Sequence, residues 1–305
     1  MKFTKDLIKK RVLIIGASGM LGQRCAKHFS SLENVETLCA APDETIKFPA
    51  AAYVYLDMTQ REEVKKLIFE FLPDVIINAS AFTNVDLAET ERELAWKINV
   101  KGVEYIVETA AAIDAHVIHI SSDYVFDGTK GPYTEIDKPN PVSYYGRTKF
   151  ASENAISISG ALATIIRTNV LYGIIPSGRA DFVRWVVNSL RSNTPIRIVT
   201  DQYNNPTFID DLVAGIDAII NRKKYGLYNL AGMEVISRLE FTLRICKVFD
   251  LDTSLITNIT TPDLNQPARR PLKSGLIILK AQTELGFKPM DLDDSLRLMK
   301  SELCL

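Results

Sequence analysis

The chain has little that would mark a disulfide-stapled, metal-holding or nucleic-acid-binding protein. Its four cysteines, Cys25, Cys39, Cys246 and Cys304, are scattered through 305 residues, without the close pairing of a disulfide framework or the companion histidines of a zinc site. They read as reduced thiols, and no metal site is expected. The three histidines, His28, His116 and His119, form no constellation with a nucleophile and read as packing or surface residues. Charge of one sign is also lacking: 36 Lys and Arg against 37 Asp and Glu leave a net charge of −1. The charges are interspersed, so no basic stripe points to nucleic acid and no charge block to a tail. No apolar run reaches the ~18 residues of a spanning helix, and residues 1–11 carry charges instead of the apolar stretch of a signal peptide. The expectation is a cytoplasmic protein with neither a membrane nor a nucleic acid as partner. Internal repeats and low-complexity segments are absent.

What is present is an alternation of short apolar strands with amphipathic helices, the pattern that forces a parallel sheet covered on both faces. Strands are predicted at 11–15, 35–40, 53–56, 74–78, 115–121 and 161–167, with helices at 60–71 and 91–112 and one carrying Lys149. Beyond these the alternation loosens. Residues 173–179 read as a loop, 182–191 as a helix and 196–199 as a strand. Residues 209–220 read as a helix returning to the main sheet, with Asp210 and Asp211 favourable at its N-terminus. The fold class expected is α/β: a Rossmann-type doubly wound parallel sheet with a smaller C-terminal α/β substrate-binding lobe. At roughly 150 residues per domain the length suits two units. The first spans 1–168 with 200–222 returning to it, and the lobe spans 169–199 and 223–305.

Three motifs fall where such a sheet binds ligands, beyond the carboxyl ends of its strands. The first is Gly16-Ala17-Ser18-Gly19-Met20-Leu21-Gly22, which follows the apolar run Arg11–Ile15 and precedes a helix with Leu21, Cys25 and Phe29 at helical spacing. Glycines here make the turn tight and let the backbone approach a pyrophosphate, while the helix N-terminus offers free N–H groups to the anion. The second is Ser121-Ser122-Asp123-Tyr124-Val125-Phe126-Asp127-Gly128, which places a hydroxyl at a strand end. The third is Tyr145-Gly146-Arg147-Thr148-Lys149. A Tyr and Lys at this spacing prove little in a chain with 11 tyrosines, but the setting adds weight. Pro139 and Pro141 stop the preceding structure, Ser143 can cap a helix, and Tyr145 and Lys149 then share one face. Gly146 costs that helix about 1 kcal/mol against alanine, which suggests that something approaches closely.

Those residue types together suit the reduction of a carbonyl. A phenol titrates near ~10; an ammonium ~4 Å away stabilises phenolate by up to ~4 kcal/mol at an effective dielectric near ~20, roughly three pKa units. Tyr145 would then serve as general acid, Ser122 would orient the substrate carbonyl, and Lys149 would hold the nicotinamide ribose. Asp86 and Glu89 read either as a loop near the site or as a helix start.

With these motifs the chain resembles the extended short-chain dehydrogenase/reductase superfamily and, within it, the dTDP-4-dehydrorhamnose reductase family. The resemblance also rests on Asn78-Ala79-Ser80-Ala81-Phe82-Thr83-Asn84-Val85-Asp86, Ile98-Asn99-Val100, Asp201-Gln202-Tyr203 with Pro206-Thr207, and Ala268-Arg269-Arg270-Pro271. It implies NAD(P)H-dependent reduction of the C4 ketone of a nucleotide-linked 4-keto-6-deoxysugar, dTDP-4-dehydrorhamnose to dTDP-L-rhamnose. The catalytic residues it implies are Ser122, Tyr145 and Lys149. The cofactor would lie along Gly16, Ser18, Gly19, Met20, Leu21, Gly22, Ala79, Ser80, Ala81, Asn99 and Ser121, with Asp57 and Met58 near the adenine. The nucleotide-sugar would meet Ser122, Asp123, Tyr124 and Val170, with Arg269 or Arg270 at its diphosphate. The residues do not decide between NADPH and NADH, since Cys39-Ala40-Ala41-Pro42 ends the second strand with neither an acid nor an arginine, Asp43 and Lys47 argue oppositely, and Arg24 sits too near the glycines; the resemblance alone leans slightly to NADPH. It also allows a homodimer. Two departures stand out: Val170 replaces a tryptophan that commonly follows Arg-Thr-Ser, and Asn204-Asn205 stands where a glycine is usual.

Two other readings resemble this chain. One is a non-catalytic, dinucleotide-binding regulatory subunit like that of methionine adenosyltransferase, which has a similar Ser-Ser-Asp-Tyr-Val-Phe-Asp-Gly segment and no tryptophan at position 170. The weaker one is a nucleotide-sugar epimerase or dehydratase, although Tyr124 occupies the place of the dehydratase glutamate.

Overall fold

A strand buried on both faces must be apolar at every position, and Val12-Leu13-Ile14-Ile15 is such a run, each residue at most 2% exposed. In the computed structural model, which describes residues 9–43, 51–176 and 178–302, this run is an interior strand of a seven-stranded parallel sheet. The strands are β1 (Lys10–Ile15), β2 (Val35–Ala41), β3 (Ala52–Tyr55), β4 (Val75–Asn78), β5 (His116–Ser122), β6 (Ala163–Thr168) and an edge strand, Gly226–Asn229. Their spatial order is β3-β2-β1-β4-β5-β6-edge, so strand order reverses between β1 and β4 and opens a crevice there. Lys47, Cys304 and the first eight residues of the opening segment lie outside the described residues.

Alternation along β1 divides the core. Val12 and Ile14 face a cluster with helices Met20–Ser30 and Ile209–Asn221, while Leu13 and Ile15 face a second cluster with helices Arg61–Phe71 and Gly102–Ala111. Each fully buried Val, Leu or Ile contributes about 1.5–3 kcal/mol. The sheet is therefore doubly wound, as expected, and the helix at Ile209–Asn221 does return to it. A third cluster gathers helices Phe182–Arg191, Arg238–Phe249 and Leu292–Glu302 around Val183, Val187, Phe241, Ile245, Leu296 and Met299. Strands Ile196–Val199 and Ile256–Ile259 pair in parallel beside it.

Parts of 223–305, expected in the smaller lobe, also meet the main sheet. Gly226–Asn229 pairs with β6 as the sheet's edge, and Ala281, Leu285 and Phe287 of the segment around helix Leu279–Leu285 pack in the same cluster as Val12 and Ile14. The chain returns twice to cover that face, so its C-terminal third serves both units. The helix predicted at 91–112 is present over 92–111 but is interrupted by a π turn at Lys97–Lys101. Such turns often sit at functional sites, and this one carries Asn99.

Candidate functional site

Gly16 takes φ +81, which a side chain rarely adopts, and a Cβ there would lie 2.5 Å from Ser80 N. The loop thus passes close over the end of β4. The helix that follows begins at Gly19 with no side-chain cap, leaving backbone N–H groups for an anion. These features border a cleft of about 830 Å³ that runs from Gly16, Ser18, Gly19, Met20 and Leu21 past Ala79, Ser80 and Ala81 to Ser121, Ser122, Asp123, Tyr124, Tyr145, Lys149 and Val170. A glycine cradle, an uncapped helix N-terminus and a long cleft fit a nicotinamide dinucleotide.

Tyr145 and Lys149 belong to helix Tyr144–Ile158, which starts where predicted: the Ser143 hydroxyl accepts from Gly146 N at 3.2 Å. The close approach expected at Gly146 is Tyr124 O, 2.1 Å from where a Cβ would sit. Edge-to-face contact between the Tyr124 and Tyr145 rings, 5.5 Å between centroids, completes the junction. The helix is also anchored from below. Glu153 accepts from Arg167 Nε at 2.9 Å and Nη2 at 2.7 Å, and from Ser121 Oγ at 2.5 Å. This is a buried ion pair joining the helix to β6 and β5.

The electrostatics differ from the simple expectation. Burial pushes the Tyr145 phenol up from its ordinary value, partly opposed by a hydrogen bond with Ser122. Burial also lowers the Lys149 ammonium to about 8, with the Glu153 charge opposing. Lys149 takes no part in the phenol's shift, and its Nζ donates to Ile120 O at 2.6 Å. Tyr145 therefore holds its proton in this state. Asp123, enclosed between Ser122 Oγ at 2.9 Å and Ser274 Oγ at 2.5 Å, has its carboxyl raised by burial to about 6.

His119 is fully buried and neutral, its imidazole lowered by burial and then by the Lys149 charge. Its tautomer follows from its neighbours. Ser152 Oγ donates to Lys149 O at 2.7 Å, so it accepts from His119 Nε2 at 3.0 Å, a nitrogen that Lys149 Nζ also approaches at 3.4 Å; Nδ1 accepts from Asn78 Nδ2 at 3.2 Å, and Asn78 Oδ1 accepts from Ser80 N at 3.2 Å. The residue expected only to pack thus ties the Ala79–Ala81 loop to the helix that carries Tyr145.

Several residues expected at the cofactor or substrate do not line this cleft. Gly22 lies within the first helix, where a Cβ would meet Gly16 O at 2.2 Å; it serves packing. Asp57 is engaged by Thr59 N at 2.9 Å and Thr59 Oγ1 at 2.8 Å, and Met58 is 5% exposed in the core. Asn99 bonds Phe82 N at 2.7 Å, Phe82 O at 3.2 Å and Thr148 Oγ1 at 2.9 Å, so it positions the loop after β4 against helix Tyr144–Ile158. Arg270 is held by Asp86 through bonds of 2.6 and 2.7 Å; Asp86 is therefore its ion-pair partner. Arg269 faces a separate cavity of about 520 Å³ beside Asp127 and Gly128. Glu89 accepts from Tyr144 N at 2.8 Å, beside the cleft. Arg24 is paired with Asp210.

A second cavity of about 660 Å³ shares Tyr124, Arg179, Phe182, Gln202 and Arg238 with the cleft and adds Trp185, Arg197 and Arg270. Arg238 lies over the Phe182 ring, 4.5 Å from its centroid, and among the described residues neither it nor Arg179 forms an ion pair. These free cations beside aromatic rings suit a nucleoside diphosphate. The sequence reading missed Arg179, Arg238 and Trp185. No motif marks them, and only the fold brings them to the cleft.

Fold and site together define a dinucleotide-binding α/β protein of the extended short-chain dehydrogenase/reductase superfamily. Within it, the chain belongs to the family described as RmlD substrate binding domain, matched over residues 10–304. It is 32% identical over 300 residues to a dTDP-4-dehydrorhamnose reductase of Aggregatibacter actinomycetemcomitans, spanning 94% of this chain and 97% of that one. Similarity extends to methionine adenosyltransferase 2 subunit beta of Rattus norvegicus, 31% identical over 91% of this chain and 83% of that protein. Among solved structures, a dTDP-4-dehydrorhamnose reductase from Clostridium acetobutylicum superposes with a TM-score of 0.86 at 31% identity, covering 97% of this chain and all of the other. One from Bacillus anthracis in complex with NADP gives 0.83 at 28% identity, over 96% and 99%. Among the described residues no helix is long and apolar enough to cross a membrane.

Proposed function

We propose that this protein is an oxidoreductase that reduces the C4 ketone of a nucleotide-linked 4-keto-6-deoxysugar, dTDP-4-dehydrorhamnose to dTDP-L-rhamnose, with NADPH preferred. The observation that carries the reading is the buried, proton-holding Tyr145 beside Ser122 and Lys149 in a cleft that begins at the glycine loop. Relatives of that name at 32% identity support the substrate, and the NADP-bound relative supports the cofactor. The free Arg238 and Arg179 take the diphosphate in place of Arg269 and Arg270.

When bound, the reduced nicotinamide supplies a hydride to C4. The chain's own groups handle the oxygen. Ser122 Oγ–H turns from Asp123 to the carbonyl and orients it, and the Tyr145 phenol donates its proton as negative charge develops there. A phenol pushed up by burial is the correct starting state for an acid. Lys149, anchored on Ile120 O, keeps its remaining N–H groups for the cofactor ribose and for recharging Tyr145.

The test is reduction of dTDP-4-dehydrorhamnose with NADPH or NADH, followed by loss of absorbance of the reduced cofactor. Tyr145→Phe should lower kcat about 10²–10⁴-fold while the NADPH Kd stays unchanged; equal rates in both proteins overturn the assignment. A second reading, a regulatory subunit, is favoured by Val170 in place of tryptophan and by the likeness to the methionine adenosyltransferase subunit. Dinucleotide binding without turnover, together with copurification of a synthetase, would select it.

A further inference from the structure

Ser122 carries the hydroxyl assigned to the reacting carbonyl, yet its one proton is committed elsewhere. Its Oγ–H donates to Asp123 Oδ1 at 2.9 Å, while Oγ accepts from Tyr124 N at 3.2 Å and shares a hydrogen bond with the Tyr145 phenol. A serine hydroxyl has one donor and two acceptor positions. With its proton on Asp123, Ser122 offers the phenol only a lone pair, so the phenol's proton points inward too. The two protons that the reduction needs, one to orient the carbonyl and one for the new alkoxide, both run toward Asp123 and away from the substrate.

Asp123 is 3% exposed and forms part of the cleft wall. Its second oxygen, Oδ2, accepts from Ser274 Oγ at 2.5 Å, and Ser274 is itself fixed by its N–H, which donates to Tyr203 O at 3.0 Å. Held from both sides, the carboxyl cannot turn from Ser122 without stranding a buried group. Burial raises its pKa to about 6, against the two serine bonds and the Arg238 charge. Tyr124 and Tyr145 are the other titratable groups that face it.

A proton taken up from the cleft onto Oδ1 reverses this order. Asp123 then donates to Ser122 Oγ across the same 2.9 Å, Ser274 goes on donating to Oδ2, and the Ser122 proton is released to the carbonyl. Asp123 and Tyr124 N now fill both acceptor positions of Ser122, so the Tyr145 proton loses its inward partner and turns to the substrate oxygen. Resting on the reduction reading above, we propose that Asp123 is a positioning residue that sets the direction of the Asp123–Ser122–Tyr145 hydrogen bonds, its protonated form being the one in which both hydroxyls face the carbonyl.

Initial rates of dTDP-4-dehydrorhamnose reduction by NADPH at saturating substrate test this, because the pH profile of kcat reports groups in the bound complex. In the wild type kcat should fall about tenfold from pH ~5 to ~7, following loss of a proton at about 6. Asp123→Asn keeps the shape and imitates the protonated acid, with Nδ2 toward Ser122 and Oδ1 toward Ser274; its kcat should change less than about twofold over that range. Ser274→Ala removes a donor that favours the carboxylate, so the fall should move up by about one pH unit. A merely structural role for Asp123 would lower kcat alike at every pH and move neither profile. A flat wild-type profile, a fall that survives in Asp123→Asn, or a fall that stays in place in Ser274→Ala overturns the proposal. If Asp123→Asn does not fold, the Ser274→Ala shift decides alone. Absence of wild-type turnover at every pH, with NADPH still bound in titration calorimetry, would instead sink the reduction reading on which the proposal rests.

Discussion

Gly146→Ala isolates the junction between the catalytic helix and the segment that carries Ser122. The added Cβ would lie 2.1 Å from Tyr124 O and 3.0 Å from Pro141 Cβ. Real Cβ contacts essentially never fall below 3.0 Å, so the two backbones must part by at least 0.9 Å. Neither neighbour yields readily: the first is a backbone carbonyl, and the helix is pinned by the Glu153–Arg167 pair. Alanine gains about 1 kcal/mol in helix propensity, whereas overpacking costs about 1–3 kcal/mol, so the net loss of stability should be about 0–2 kcal/mol. Activity should suffer far more. A displacement near 1 Å between Tyr145 and Ser122 spoils the geometry of proton transfer and can cost on the order of 10²-fold in kcat. Steady-state reduction of dTDP-4-dehydrorhamnose, with thermal melting in parallel, reads both quantities. A variant that keeps kcat within about threefold would refute the reasoning, because the glycine would then be dispensable to the site's geometry.

The other predictions concern charge. Arg238→Leu removes a cation that forms no ion pair among the described residues, so it should raise KM for the nucleotide-sugar by about tenfold or more, the worth of a charge-assisted hydrogen bond, while the NADPH Kd stays constant in titration. Asp123 has a folded pKa near 6, raised above the ordinary carboxyl value. Its contribution to stability is therefore full below pH ~4 and is lost as pH rises to ~6. Relative to Asp123→Asn, the wild-type protein should lose on the order of 3 kcal/mol across that window, measured by denaturant unfolding at each pH; parallel curves would show that the carboxyl is not desolvated.

Legibility in the sequence followed the range of the interactions. The glycine loop, the strand before it and the cap at Ser143 are local, and each stands where the residues placed it. Gly146 was marked by its cost to the helix, although only the fold identified Tyr124 O as the reason. Arg238 was invisible because a loop and a helix start bring it to the cleft from over 100 residues away from Ser122. The Gly226–Asn229 strand is too short for a pattern to say which unit it joins. Spacing shows that Tyr145 and Lys149 share a helix face, but not that burial raises the phenol or that Lys149 Nζ donates to Ile120 O.

The run of bonds from Ser80 N through Asn78, His119 and Ser152 to Lys149 O has a single sense. A change at one member leaves its buried neighbour short of a partner, at about 1–3 kcal/mol. Positions 78, 119 and 152 are therefore expected to change together during divergence, with a lone replacement surviving only where another element of the protein repays the deficit.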